Sequence, residues 1–157
     1  MSDYSIFPEI DDTIKECKKH LVNTGKIGTQ IESYFTRFLL VFICSEYEKE
    51  IEKVVINRAN ATGDTCIASY VAKTFRYTKH VKLPDLRGQV LGRFSVELKD
   101  NFNTKFGREE EASYENIITN RDSSAHGGIL NMTFLELEES IPKAEKIVIA
   151  FKEVMSR

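Results

Sequence analysis

The sequence predicts an all-α protein, an antiparallel helical bundle of five or six helices. Three observations carry that expectation. Apolar residues recur in steps of three and four over long stretches, which is the period of a helix buried along one face. No convincing period-two strand appears. The breaks between periodic segments are short and carry the glycines and prolines that end or start helices. The chain has 157 residues, 41% hydrophobic and 29% charged, and these fit one globular domain over residues 1–157 with a core that needs no disulfides.

The elements follow in order. Ile10, Ile14, Cys17 and Leu21 have helical spacing, and Asp11 and Asp12 suit a first turn. Asn23 to Gly28 breaks that helix. Its two glycines are not a phosphate loop, because no strand precedes them and no Gly-Lys-Ser/Thr ending follows. A long helix is expected from Thr29 to Asn60, with Ile31, Phe35, Phe38, Phe42, Tyr47, Ile51 and Val54 as its apolar stripe. Its middle, Phe38 to Cys44, is apolar all round and must be covered on every side, by the bundle or by another subunit.

Thr62-Gly63-Asp64 then breaks the chain, with Asp64 as N-cap of a helix running to Tyr77 that turns Ile67, Tyr70, Val71 and Phe75 inward. Pro84 suits a helix start, and Leu86, Val90, Phe94, Leu98 and Phe102 suggest one helix weakened by Gly88 and Gly92. Glu109, Glu110 and Glu111 favour the start of the next, which carries Ile117 and Ile118 and stops at Gly127 and Gly128. Thr133 and Glu136 stand at capping-box spacing before the last helix. Its stripe is Phe134, Leu137, Ile141, Ala144, Val148, Phe151 and Met155, and Pro142 is expected to kink or divide it.

Charge and cysteine content narrow the function classes. A net charge of −2 excludes a uniformly basic polyanion binder, so any nucleic-acid site must be a local patch. Cys17, Cys44 and Cys66 are far apart, form no Cys-x2-Cys pair and read as small buried residues rather than zinc ligands. No metal site and no cofactor are expected. The polar start from Met1 to Asp12 carries no secretory h-region, and Phe38 to Cys44 is too short to span a membrane. A reducing cytoplasm is the expected location.

Chemistry concentrates in Asn120-Arg121-Asp122-Ser123-Ser124-Ala125-His126-Gly127-Gly128. Arginine presents a planar fork of donors that fits a phosphate, and histidine moves protons near neutral pH. RNA cleavage without a metal needs those two abilities. The 2′-hydroxyl must lose a proton, the pentacovalent phosphorus must be stabilised, and the departing 5′-oxygen must gain a proton. Arg121 and His126 are the catalytic candidates, with Asp122 and Asn120 in support. On a continuous helix a five-residue step turns the two side chains about 140° apart. They share a face only if the helix frays, and one histidine is scant for both acid and base. Both points predict that two chains bring their motifs together. The plain structural alternatives are His126 as an ordinary helix-end residue and Arg121 paired with Glu115 or Glu136.

A second feature is the run Lys73, Arg76, Lys79, Lys82, Arg87 and Arg93, in which Asp85 is the only acid. With Phe75, Tyr77 and His80 interleaved, it suits phosphate contact and base stacking, and Lys73, Arg76 and Lys79 are the candidate RNA contacts. A solvated charged face is the simpler reading. His20 and His80 have no evident partner.

At Arg121, Asp122 and His126 the chain resembles the HEPN superfamily of small helical proteins, many of them ribonucleases. Ala125-His126-Gly127 is similar to the ending common in its RiboL-PSP-HEPN branch, and Leu39 to Glu52 is similar to that branch's early helix. The resemblance is good from Tyr114 to Met155 and looser from Ile31 to Val55, while Ala61 to Gly107 aligns with nothing by eye. It implies a HEPN-like bundle and a homodimer in which paired Arg121 and His126 form one metal-independent endoribonuclease site. It further implies RNA as substrate, a toxin or antiviral-defence role, and an antitoxin or larger defence-system partner. Some members keep only the fold, as non-catalytic modules that bind a nucleotide or a protein.

Overall fold

The computed structural model describes residues 6–76 and 81–156. The described residues are helical almost throughout, with no strand among them. Helix α1 (Pro8–Thr24) is followed by α2 (Gln30–Asn60), α3 (Thr65–Arg76), α4 (Leu83–Asp85), a π-helical segment (Leu86–Leu91), α5 (Gly92–Phe94), α6 (Val96–Asn103), α7 (Arg108–Ala125) and α8 (Phe134–Met155). The chain divides into two compact units, Met1–Glu46 with Arg108–Glu145, and Tyr47–Gly107 with Lys146–Arg157. Helices α2 and α8 each contribute one part to the first unit and one to the second.

In the first unit, Pro8 opens α1 with its φ already set for a helix, and Ile10, Ile14 and Leu21 go inward. The helix ends at Gly25 in the left-handed conformation, where the Lys26 N–H donates to the Leu21 carbonyl at 2.9 Å. Leu39, Leu40, Ile43 and Cys44 of α2 join Tyr114, Ile117 and Ile118 of α7 and Phe134, Leu137 and Ile141 of α8 among the buried residues of this unit. Lys18 of α1 pairs with Glu138 of α8 at 2.8 Å, and Lys143 of α8 with Glu109 of α7 at 3.2 Å. Both pairs are partly exposed and contribute little to stability.

Part of the expected α2 stripe lies on the wrong face. Phe38 is 54% exposed and Ile31 39%, while Phe35 and Phe42 are half-buried. The residues that face inward in this stretch are Thr36, Leu39, Leu40, Ile43 and Cys44. Two adjoining faces of α2 are apolar here, so periodicity alone does not choose between them. The described residues do not cover the segment Phe38 to Cys44 all round, since Val41 is also 48% exposed, so of the two expected covers the bundle alone does not supply it.

In the second unit the remainder of α2 buries Tyr47, Ile51, Val54 and Val55. Phe102 of α6 meets Phe151 of α8 edge to face at 6.3 Å, a favoured aromatic geometry. The single helix expected after Pro84 is broken twice. Between Leu86 and Leu91 the backbone takes π-type hydrogen bonds, and the Gly92 N–H donates to the Arg87 carbonyl five residues back. Ser95 then turns extended, and its hydroxyl caps α6 by accepting from the Glu97 N–H at 3.1 Å. Leu86, Val90 and Phe102 are buried as expected, but Phe94 is 40% exposed.

Helix α3 departs furthest from expectation. Ile67 and Tyr70 are 50% and 71% exposed, Val71 and Phe75 are half-buried, and no residue of the helix is buried. Its start is as predicted, with the Asp64 carboxylate accepting from the N–H groups of Cys66 and Ile67 at 2.9 and 3.0 Å. With so little packing, the cap carries an unusual share of the stability of α3. Asp64→Ala is expected to cost about 1 kcal/mol of helix stability. The loss should be read as roughly fivefold faster amide hydrogen exchange confined to α3, with the melting temperature nearly unchanged.

All seven predicted stripe residues of α8 are buried. The helix runs unbroken through Pro142, so the expected division does not occur. The capping box at its start is complete. The Glu136 carboxylate accepts from the Thr133 N–H at 2.7 Å and from its hydroxyl at 2.9 Å, and the hydroxyl accepts from the Glu136 N–H at 3.2 Å. The Thr133 N–H, then its hydroxyl, holds the Glu136 carboxyl below the usual carboxylate range. A depressed pKa means the box stabilises the fold at neutral pH and loses that contribution as the pH falls through the carboxylate range. Thr133→Ala should therefore flatten the acid limb of urea-unfolding stability, by a small amount because Glu136 is exposed.

Of the three cysteines, Cys44 is buried, Cys17 is half-buried and Cys66 is exposed, so only Cys44 fits the fully buried reading. Burial, and then the neighbouring Glu16, push the Cys17 thiol up from its usual value. Among the described residues no helix is long and apolar enough to cross a membrane, and no three His, Cys, Asp or Glu side chains gather as a metal site would need.

Candidate functional site

The predicted motif occupies the last turns of α7 and the turn after it, wholly within the first unit. The helix does not fray. Its backbone is helical to Ala125, and the His126 N–H donates to the Asp122 carbonyl at 3.2 Å in the regular i to i−4 pattern. The end is a complete Schellman turn with His126 as the capping residue. The Gly128 N–H donates to the Ser123 carbonyl at 2.7 Å and the Gly127 N–H to the Ser124 carbonyl at 3.4 Å. Gly127 takes φ +70°, which side chains with a Cβ avoid, and a Cβ on Gly128 would lie 3.0 Å from the Ser123 carbonyl. The double glycine thus ends the helix and lets the chain reverse tightly against it.

With the helix intact as far as Ala125, the five-residue step keeps Arg121 and the helix-end His126 on different faces of α7. His126 is exposed. Arg121 is partly buried, its side chain 21% exposed, and its Nη1 donates to the Asp122 carboxylate at 3.0 Å. Asp122 therefore joins the two candidates through different atoms, its carboxylate to the guanidinium and its carbonyl to the backbone of His126. This guanidinium bond meets a neighbour on the same helix. The Ser124 hydroxyl is buried and has no hydrogen-bond partner among the described residues.

Asn120 holds the far side of the turn. It is 4% exposed. Its amide nitrogen donates to the Asn116 carbonyl and side-chain oxygen at 3.0 and 2.8 Å, and its own oxygen accepts from the Asn131 N–H at 2.9 Å. A buried amide is costly unless satisfied, and this one is satisfied by tying α7 to the segment that leads into α8. Arg37 of α2, which sequence reasoning missed, grips the turn from another side. Its Nη2 donates to the Gly128 carbonyl at 3.0 Å across 91 residues of chain. No local pattern signals such a contact.

The candidate RNA contacts fall elsewhere. Lys73 and Arg76 lie in the last turn of α3, in the second unit, and Lys79 lies outside the described residues. Lys73 and Arg76 are exposed, and Arg76 pairs with Glu52 at 3.5 Å. Arg87 donates to the Asn103 side chain at 2.7 Å and lies over the Phe106 ring at 5.8 Å. Tyr77 and His80 also lie outside the described residues, while His20 sets its ring edge-on to Phe35 at 5.5 Å. The second unit holds a cavity of about 600 Å³ beneath α3, with Lys53, Arg58 and Lys152 among its lining residues and Val54, Val71 and Phe94 on its apolar walls. Arg58 donates to the Met155 carbonyl at 2.7 Å, and Glu50 lies 3.0 Å from Lys152.

A family model described as RiboL-PSP-HEPN matches residues 7–157, including the middle segment in which no resemblance was legible by eye. Comparisons with curated proteins and with solved structures give no match.

Proposed function

The chain belongs to the RiboL-PSP-HEPN family, and from that premise we propose that it is a metal-independent endoribonuclease working as a homodimer. Arg121 binds and neutralises the scissile phosphate through its planar fork. His126 of one copy removes the proton from the ribose 2′-hydroxyl, whose oxygen attacks phosphorus. The P–O5′ bond breaks, and His126 of the other copy protonates the leaving 5′-oxygen. The products are a 2′,3′-cyclic phosphate and a 5′-hydroxyl. The observation that carries this reading is the intact end of α7, which leaves His126 exposed and five residues, about 140° of helical turn, from Arg121. Two copies supply what one lacks.

Asp122 and Asn120 position the pair, and Lys73, Arg76 and Lys79 are proposed to guide the RNA backbone. A toxin or antiviral-defence role in the cytoplasm, restrained by an antitoxin or a larger defence partner, is the biological setting this chemistry suits. The test is incubation of the purified protein with structured RNA in EDTA, followed by end-group analysis. Cleavage leaving cyclic phosphate ends that is lost in Arg121→Ala and His126→Ala supports the proposal. Equal cleavage by all three proteins rules it out.

A second reading has its own support. The cavity beneath α3, with Lys53, Arg58 and Lys152 beside Glu50 in its lining and apolar walls, suits a non-catalytic module that binds a nucleotide. Saturable nucleotide binding lost in Phe94→Ala, with no RNA cleavage under any condition, would favour it.

A further inference from the structure

The first half of α2 carries an apolar stripe that nothing in the described chain covers. Ile27, just before the helix, is 62% exposed, and Ile31, Tyr34, Phe38 and Val41 are 39%, 56%, 54% and 48% exposed. Within the helix, from Ile31 to Val41, they follow one another by three, four and three, the spacing with which a helix packs along another helix. Phe42 stacks on Phe38 at 6.0 Å and widens the aromatic surface. The stripe lies in the first unit, as does the motif.

Two features say what covers it. From residue 27 to residue 45 the only charges are Glu32, which accepts from the Gly28 N–H, and Arg37, which is engaged with Gly128. RNA would need cations along such a face, and a membrane-surface helix carries a border of lysine and arginine. This stripe has neither, and it presents nothing that would repel its own copy. The five half-exposed side chains offer roughly 400–500 Å² of apolar surface per copy. That is over half of the about 800 Å² that each partner buries in a standard interface.

The stripe also adjoins the motif. At about 100° per residue, Ile31, Tyr34, Phe38 and Val41 lie within roughly 40–120° of Arg37 around the helix, and Arg37 holds the motif turn at Gly128. We infer that a second copy of this chain docks on this stripe, with the two α2 helices antiparallel about a two-fold axis through its middle. Such an axis sets Tyr34 of one copy against Phe38 of the other, and Ile31 against Val41. It passes beside Arg37, so the Gly128 turns of both copies converge on it, each bringing its His126. The inference rests on the composite-site reading and names the surface that assembles it.

The experiment is mass measurement by light scattering over a range of concentrations, with EDTA-resistant cleavage assayed on the same samples. The wild type should have twice the 18.0 kDa chain mass. Tyr34→Lys and Phe38→Glu alone should each run at the single-chain mass with unchanged circular dichroism, and cleavage should fall about 10²-fold or more. Mixed in equal amounts, they should recover both mass and cleavage, because each mixed dimer keeps one native contact and gains a Lys–Glu pair. A dimeric wild type whose two variants stay dimeric overturns this face and leaves the composite site standing. Variants that are monomeric yet cleave at the wild-type rate uphold the face and overturn the composite site. A mixture that does not recover overturns the antiparallel register. A wild type that stays monomeric overturns both, and stripe-dependent binding to neutral vesicles would then assign the face to lipid.

Discussion

Arg121→Ala and His126→Ala are each expected to lower EDTA-resistant RNA cleavage by about 10²–10⁴-fold, the range typical for loss of an acid–base group or of a main transition-state donor. For His126→Ala stability should hardly change, because His126 is exposed, and for Arg121 the partly exposed bond to Asp122 is worth less than about 1 kcal/mol. Loss of cleavage at an unchanged melting temperature therefore separates a chemical role from a structural one. Arg121→Lys sharpens the test. It keeps the charge and loses the planar fork, so it should recover only part of the rate if bidentate phosphate binding matters. If the two residues serve one transition state, the double variant should lose little more than the worse single one. Additive losses would mean that they serve separate steps.

Asn120→Leu is expected to lower cleavage by about 10–10²-fold while the protein still folds. Leucine fills a similar volume but makes none of the three bonds that Asn120 makes to Asn116 and Asn131. The folding cost should be about 1–3 kcal/mol, read by urea unfolding. The larger effect follows from position, since a reacting group displaced by about 1 Å can lose about 10²-fold in rate. The segment after Gly128 is tied to α7 through the Asn131 N–H, and without that tie the chain that follows the turn loses one of its anchors, leaving Arg37 and the Schellman bonds to hold the turn. Asn116→Ala is the control. It removes one acceptor and leaves the Asn131 clamp intact, so cleavage should stay close to wild type. Full activity in Asn120→Leu would show that the clamp serves folding alone.

Where one physical signal dominated locally, the sequence was legible. The α8 stripe has a single apolar face, and every predicted residue on it is buried. The Thr133–Glu136 box, the Asp64 cap and the double glycine after His126 act within a few residues, and each forms as its chemistry requires. Legibility failed where two local answers were nearly equal. In α2 two adjoining faces are apolar, so the buried one is chosen by what packs against it. In α3 the amphipathic pattern is strong, yet its neighbours leave no residue buried. After Pro84 the glycines admit several helical backbones, and the observed one is part π-helical and interrupted at Ser95.

For the candidate site the same division holds. The sequence by itself determined the all-α class, the family, and the placement of Arg121 and His126 at the end of a helix, because periodicity, capping and residue chemistry act over a few positions. Only the tertiary structure decided that α7 stays intact to its end, that Asn120 and Arg37 clamp the turn, and that Tyr34, Phe38 and Val41 face outward. Those outcomes depend on which distant groups satisfy a buried amide, a carbonyl or an apolar face, and distance along the chain hides them.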